Sequence, residues 1–429
     1  MSSLPLVDAE RWPSVARTPY SPVRAAAARL ILRRAVRDLP IVVLLPNSRR
    51  RGTSAAGAAS APGVTGVPER LGAGGAGAPV MEIVSDAFFH RIGADLKIGF
   101  GEAYMAGDWR AADGTDLAEL LTVFAKHLTD LVPPTLQRFR KLIEQRMPSS
   151  EINDRTGARK NIARHYDLSN ELFATFLDET MTYSSAWFES NHEDLAAAQR
   201  HKIDGILDYA GVRPGSRVLE IGTGWGQLAI QAAERGATVT SVTLSAEQRD
   251  LARKRIAEAG VDAEVELRDY RDVRGQYDAV VSVEMIEAVG AQYWPTYFAT
   301  IDRLLAPGGR FALQSITMPH DRLLATRHAQ GWIHQYIFPG GLIPSLTAIE
   351  QIAGTAGGLE IAHRRDLGSA YAHTLRLWRE RFTARAADVA NLGFDAVFRR
   401  MWEFYLAYSE AGFRAGYLGV SQLALVRKK

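Results

Sequence analysis

The feature that most constrains this chain is the run Val218-Leu219-Glu220-Ile221-Gly222-Thr223-Gly224-Trp225-Gly226. It reads as an apolar strand that ends in an acid and breaks into alternating glycines, before a helix opens at Gln227. Glycine lacks a Cβ, so such a loop turns tightly and lets main-chain groups approach a ligand. The rhythm then repeats. Ala237 to Val242, Ala263 to Leu267, Tyr277 to Val283 and Gly309 to Ser315 read as strands. Gln227 to Arg235, Ala246 to Ala259 and Pro295 to Leu305 read as helices. Strands alternating with helices predict an α/β fold with a parallel, doubly wound, Rossmann-like sheet.

In an open sheet of this kind, ligands bind beyond the carboxyl ends of the strands. Four strand ends therefore outline a site. The first, Glu220 to Gly226, has the spacing G-x-G-x-G after an acid, where a dinucleotide site has G-x-G-x-x-G. With no pyrophosphate to cradle, this loop suits S-adenosylmethionine (SAM), with Glu220 on its ammonium or a bound water. The expected contacts are Glu220, Gly222, Gly224 and Gly226 in the loop, and Thr243, Leu244, Ser245 and Gln248 near the ribose. Asp269 and Tyr270 would lie near the adenine. The fourth end, Ser282-Val283-Glu284-Met285-Ile286-Glu287, falls beside the reacting methyl group.

Composition narrows the class. Over 429 residues, 47% are hydrophobic and 23% charged, which predicts globular domains with large cores. Cysteine is absent, which removes disulfides, thiolate metal sites and cysteine nucleophiles. No metal site is expected. No apolar run is long enough to span a bilayer. Asp8, Glu10 and Arg11 stand where a signal peptide would carry a basic start and an apolar block, so a cytoplasmic location is expected.

The N-terminal part, 1–145, reads as a smaller domain ahead of a methyltransferase domain at 146–429. Pro22 to Arg37 has helical periodicity, with Val23, Ala27, Leu30 and Ile31 on one side. Arginines crowd it and the residues beyond: Arg24, Arg29, Arg33, Arg34, Arg37, Arg49, Arg50 and Arg51. Such a helix is either an ordinary solvated face, the commoner case, or a surface helix that meets anionic lipid heads. Ile41 to Leu45 is a strand or buried turn. Residues 51–79, rich in Gly, Ala, Ser and Pro, read as a flexible segment. A strand and helix follow from Val80. The closely spaced glycines of 97–109 call for turns or close backbone approach, and Asp116 to Leu131 reads as a helix stopped by Pro133-Pro134.

Several longer motifs carry a resemblance. They are GFGEAYMAGDW (99–109), NIARHYDLSNELFATFLDETMTYSSAWFE (161–189), VLEIGTGWGQLA (218–229), VTLSAEQ (242–248), SVEMIEAVG (282–290), YIFPGGLIPS (336–345) and LGSAYAHTLRLW (367–378). From about Val80 onward the chain resembles the cyclopropane-fatty-acid synthases and the related mycolic acid and fatty acid methyltransferases. The resemblance implies a SAM-binding α/β domain with a helical lid over an acyl channel, and it adds Tyr183 and Ser184 to the cofactor contacts. It also brings the expectation of a homodimer, with no interface legible in the sequence.

The chemistry implied is methyl transfer to the double bond of an unsaturated fatty acyl chain. An alkene has no acidic proton, so positioning and desolvation start the reaction. Attack leaves a carbocation, which aromatic rings can shelter at about 0.5–2 kcal/mol each. Candidates are Tyr183, Trp187, Phe188, Trp332, Tyr336 and Tyr371, with core packing the alternative for most of them. A base must then take a proton from the transferred methyl. In the family a bound bicarbonate does this, and its contacts map onto Ser185, Glu287, Gln314, Tyr371 and Ile316. Ser185 stands for a cysteine, Gln314 for a histidine, and Ala288 for a histidine after Glu287. These departures weaken the case for bicarbonate.

Glu284 stands where the family carries a glycine. We read it as a carboxylate that replaces bicarbonate as proton acceptor, the alternative being a structural hydrogen bond. Glu284 and Glu287, three apart, would share one face of a helical turn. Two carboxylates in a dry pocket would not both ionise readily.

A changed base pocket suggests a changed product: a methylene branch on an oleoyl phospholipid, made at the inner membrane face and reduced by a separate enzyme to a 10-methyl (tuberculostearic-type) chain. Cyclopropane formation, methylation of a polar small molecule and a non-catalytic lipid-binding role are the competing readings. No module for nucleic acid is present.

Overall fold

A computed structural model describes residues 7–46, 69–127, 153–154, 157–158, 169–190 and 193–428. The chain forms two compact units. One comprises residues 1–143 with 395–411, the other 144–394 with 412–429.

The first unit holds a four-stranded sheet of β1 (Val42–Leu45), β2 (Glu69–Leu71), β3 (Val80–Ile83) and β4 (Trp109–Ala111), in the order β2-β1-β3-β4. The buried Val42-Val43-Leu44-Leu45 run is thus a strand. Of the Gly/Ala-rich segment at 51–79, residues 51–68 lie outside the described residues. Glu69–Leu71 is not a free linker but pairs antiparallel with β1. Gly74 then approaches the Ile41 backbone so closely that a Cβ would stand 2.7 Å from its carbonyl carbon. The helix expected at Asp116 to Leu131 runs over Leu117–Lys126, capped by the Asp116 side chain; residues 128–131 and Pro133-Pro134 lie outside the described residues.

The glycine-rich stretch 97–109 is a helix, Leu96–Ala106, rather than a series of turns. Gly99 serves close approach, the other reading of that spacing: a Cβ there would fall 2.3 Å from the Arg91 carbonyl oxygen. Gly107, at φ 79°, closes the helix in the left-handed conformation. Arg91 is buried, paired with Asp108 at 2.8 Å, and also donates to the Ser14 and Val15 carbonyls. Residues 395–411 belong with this unit because Arg400 donates to the Met105 carbonyl at 2.7 Å and Phe404 packs against Tyr104 and Trp109. A boundary placed at 145 does not anticipate that return of the chain.

The arginine-rich helix spans Pro22–Val36 and is capped by Ser21. Its inward residues are Ala28 and Val36. The stripe of Val23, Ala27, Leu30 and Ile31 lies together, as the periodicity predicts, but on the outward side. Val23 is 81% and Leu30 71% exposed. Arg49, Arg50 and Arg51 lie outside the described residues.

The second unit is built on a seven-stranded sheet. Its strands are β5 (Arg217–Ile221), β6 (Thr238–Thr243), β7 (Ala263–Leu267), β8 (Tyr277–Val283), β9 (Leu305–Thr317), β10 (Leu359–Asp366) and β11 (Gly419–Arg427). The order is β10-β11-β9-β8-β5-β6-β7. From β7 to β9 every neighbour is parallel, as the alternation predicts. β11 enters antiparallel between β9 and β10, so the sheet is mixed at one end.

Both faces are covered, and neighbouring residues of β5 enter different cores. Val218 packs with Ile203, Ile206, Leu207 and Leu228, while Leu219 packs with Phe298, Ile301 and Leu304. Burial on both faces is why the parallel strands read as nearly continuous apolar runs. Their carboxyl ends converge on one edge, and the loops there are free to carry chemistry. Among the described residues, no helix is long and apolar enough to cross a membrane.

Candidate active site

A cavity opens at the carboxyl ends of β5, β6, β7 and β8, and all four strand ends contribute to its wall. The glycine loop enters through Gly222 and Gly224, both at positive φ (99° and 52°). Thr243, Leu244 and Gln248 enter from the end of β6, Asp269 and Tyr270 from beyond β7, and Glu284 from beyond β8. Tyr183 and Ser184 reach the same cavity from the segment after the Asn170–Phe176 helix.

Two expected contacts stand outside the lining. Gly226, at φ 91°, lets the Gln227–Glu234 helix pack close, since a Cβ there would meet Ala252 at 3.1 Å. Ser245 caps the Ala246–Ala259 helix through the Gln248 N–H. Asp269 faces the cavity with its carboxylate bound to Arg271 at 2.6 Å.

The polar groups of the wall fit SAM. Glu220 is buried and accepts a 2.6 Å hydrogen bond from Ser241. Burial pushes its carboxyl up to about 8, a cost that a cationic ligand would relieve. The Tyr270 hydroxyl is buried and has no hydrogen-bond partner among the described residues. The two left-handed glycines let the main chain approach a ligand.

A residue the motifs do not single out completes this wall. Lys202, on the Leu195–Ala210 helix, is 1% exposed, and its ammonium donates to the Ser184 hydroxyl at 2.6 Å. Burial draws its pKa down to about 8, against the opposing pull of Glu284, Asp178 and Glu220. The sequence does carry a signal for it: Leu195, Ala198, Gln199, Lys202, Ile203 and Ile206 follow helical spacing, which sets this lysine on a buried face.

Glu284 is held by three elements at once. Its Oε1 accepts from the Ser185 main-chain N–H at 2.9 Å and from Gln314 Nε2 at 2.9 Å. Its Oε2 accepts from the Tyr371 hydroxyl at 2.7 Å. Its backbone is left-handed, φ 50°, a conformation that costs a side-chain-bearing residue about 1–2 kcal/mol. Burial raises its pKa, with the Ser185, Gln314 and Tyr371 hydrogen bonds and the Lys202 charge opposing. The carboxylate takes up three of the positions that the resemblance assigns to bicarbonate, at Ser185, Gln314 and Tyr371. Bicarbonate therefore does not fit this site. Ser185 contributes its N–H, while its hydroxyl turns to the Ala186 carbonyl.

Glu287 lies in a separate nest. Its Oε1 accepts from the Ser315 hydroxyl at 2.9 Å and the Ile316 N–H at 2.6 Å, and its buried Oε2 has no partner among the described residues. The short 3-10 turn Ile286–Ala288 begins after Glu284, so the two acids do not share one helical face. Among the described residues no hydrogen bond joins them. They still feel each other: burial first, and the Glu284 charge second, push Glu287 up to about 8. Of the candidate aromatic rings, Tyr183 lines the cavity and Tyr371 binds Glu284. Trp187 lies over Arg365, Phe188 packs on His373, and Trp332 packs on Tyr336, all outside the lining.

The family model described as mycolic acid cyclopropane synthetase matches residues 153–423. The chain belongs to this family. It is 52% identical to the tuberculostearic acid methyltransferase UfaA1 of Mycobacterium tuberculosis, over 98% of this chain and 96% of that one. It is 34% identical to the cyclopropane-fatty-acyl-phospholipid synthase of Escherichia coli, over 81% of this chain and 87% of the other. Among solved structures, the cyclopropane synthase MmaA2 from Mycobacterium tuberculosis superposes with a TM-score of 0.59 at 31% identity, covering 64% of this chain and 99% of that chain. The cyclopropane synthase CmaA1, solved with SAH and CTAB, gives 0.58 at 30% identity, covering 62% and 97%. This member of the mycolic acid cyclopropane synthetase family is a SAM-dependent methyltransferase.

The Glu287 environment sets a pH signature. A carboxyl raised to about 8 favours the folded state when protonated. That contribution is complete below the ordinary value near 4.5 and is lost as pH rises through about 8. Glu287→Gln, neutral throughout, should melt close to the parent protein near pH 4.5 and progressively higher than it toward pH 8. Thermal melts across that range check this, and parallel curves would contradict it.

Proposed function

We propose that this enzyme methylates the double bond of an unsaturated fatty acyl chain, an oleoyl phospholipid, and leaves a methylene branch, with Glu284 as the proton acceptor. The observation that carries the reading is the Glu284 carboxylate fixed by Ser185, Gln314 and Tyr371 in the cavity wall. SAM, when bound, supplies an electrophilic methyl group for attack by the alkene. Glu220, Ser184 and Lys202 would hold its polar groups, and Gly222 and Gly224 would bring the main chain close.

Forming the new C–CH3 bond would use the alkene's electron pair while the S–CH3 electrons leave with the sulfur as S-adenosylhomocysteine, and would make the neighbouring carbon cationic. A hydride shift moves the charge onto the methyl-bearing carbon. Glu284 then takes one proton from the methyl, and the C–H electrons close a C=CH2 branch on the chain. Tyr183 presents a ring at the cavity wall, suited to shelter the cation. Reduction to a methyl branch would need a hydride donor and a proton from a separate reductase. Support for the branched product comes from the 52% identical relative, whose name concerns tuberculostearic acid. Loss of a methyl proton without the hydride shift would instead close a cyclopropane, the product named for the Escherichia coli relative.

The outward stripe of the Pro22–Val36 helix supports docking on an anionic phospholipid surface. Val23, Leu30 and Ile31 face solvent, beside the exposed Arg24, Arg34 and Arg37. Apolar side chains can enter the headgroup boundary while the guanidinium groups meet phosphates.

Two measurements test these readings. Purified enzyme with SAM and oleoyl phospholipid should give an acyl product heavier by one CH2 that still takes up hydrogen, read by mass spectrometry before and after mild hydrogenation. Glu284→Gln should lower turnover by ~100-fold or more while SAM binding persists. A product that resists hydrogenation would replace the methylene by a cyclopropane, and robust turnover in the variant would remove Glu284 from the mechanism. In flotation with anionic vesicles, Leu30→Glu combined with Val23→Glu should weaken binding on the order of tenfold or more. Unchanged flotation would contradict the docking role.

A further inference from the structure

Arg365, Gln422 and Gln314 stand directly opposite one another across three neighbouring strands, β10, β11 and β9. Residues so paired project from the same face of a sheet, so their side chains form a row. The row runs to Glu284, whose N–H donates to the Gln314 carbonyl at 2.8 Å just beyond β8. The side chains bond in one direction. Arg365 Nη1 donates to Gln422 Oε1 at 3.2 Å, Gln422 Nε2 to Gln314 Oε1 at 3.1 Å, and Gln314 Nε2 to Glu284 Oε1 at 2.9 Å.

Donor and acceptor chemistry leaves this direction no freedom. A guanidinium only donates, so Gln422 must turn its oxygen to Arg365. Its two amide hydrogens then have two acceptors, Gln314 Oε1 and the Lys202 main-chain carbonyl at 2.9 Å. With its oxygen fixed, Gln314 turns its own two hydrogens to Glu284 and to the Ser185 carbonyl at 3.3 Å. Both glutamines are 0% exposed, so water offers no alternative partner.

The outer end is built as well. Arg365 lies over the rings of Trp187 at 4.0 Å and Tyr209 at 4.8 Å. Gly205 leaves room for it, since a Cβ there would fall 2.5 Å from Arg365 Nη1 and 2.8 Å from the Trp187 ring.

We propose that Gln422 is a positioning residue that sets the polarity of the Gln314 amide, so that Glu284 always meets an N–H donor and is kept in its proton-accepting form. The inference rests on the reading of Glu284 as the proton acceptor. With the Gln314 amide turned over, a carbonyl oxygen would face the carboxylate, and only protonated Glu284 could remain beside it. The titratable groups facing Glu284 are Lys202, Glu287 and Tyr371, and none is altered by a change at position 422.

The test is the pH dependence of kcat for the full-length enzyme, with SAM binding and thermal melts as checks on folding. Gln422→Met should move the acid limb upward by about one pH unit, the size of one hydrogen bond to a charged group. Gln314→Met should move it by a similar amount, and the double variant should add little, because both changes remove the same donation. If Gln422→Met does not fold, Gln422→Leu also removes the donation to Gln314 without adding a charge, so its limb should move up as far. An unmoved limb, or shifts that simply add, would overturn the role of Gln422. Turnover retained in Glu284→Gln would overturn the reading of Glu284 itself, a result distinguishable from either.

Discussion

Everything distinctive in this site depends on one carboxylate held in place by groups from three separate elements. The Ser185 N–H, the Gln314 amide and the Tyr371 hydroxyl fix Glu284 with a left-handed backbone that a side-chain-bearing residue avoids. A side chain tolerates such strain when its surroundings over-determine it, and such places tend to be functional. The resemblance set out above assigns glycine to this position, and glycine takes this backbone freely. Replacing glycine by glutamate trades an open space for an acid tethered to the protein. A tethered acid needs no capture from solution, which lowers the entropic cost of bringing base and substrate together.

The low-polarity surroundings give that acid its use. Burial raises Glu284, Glu287 and Glu220 while drawing down the Lys202 ammonium. In water such an acid would be too weak a base for neutral pH. In a dry pocket its proton affinity rises. The Ser185, Gln314 and Tyr371 donors and the Lys202 charge oppose that rise. Lys202 sets a buried positive charge near both Glu220 and Glu284, which links the cofactor wall to the base pocket.

Much of this is legible in the amino-acid sequence alone. The strand–glycine–helix junction and the alternation after it locate the parallel strands closely, with Ala246–Ala259, Ala263–Leu267 and Tyr277–Val283 found at their observed limits. The departure from the glycine of the resemblance singles out Glu284, which lines the cavity. Other features stay hidden for physical reasons. The glycine spacing of 97–109 leaves turns and close approach equally open; Gly99 lies in a helix, where close approach to Arg91 demands glycine without a turn. β10 and β11 join the sheet from far along the chain, so no local period announces their pairing. Gln422 matters only through register with Gln314 and Arg365, a relation that exists across strands. Lys202 is visible in helical spacing, but a spacing does not say what a buried charge faces.

The central claim is that the protein supplies its own proton acceptor in place of a bound anion. It is tested most directly by turnover of the unmodified enzyme in buffer stripped of carbon dioxide, against the same buffer with added bicarbonate. The structure predicts equal rates, because Glu284 already takes up the donors at Ser185, Gln314 and Tyr371. A rate that collapses on stripping and returns with bicarbonate would contradict the account.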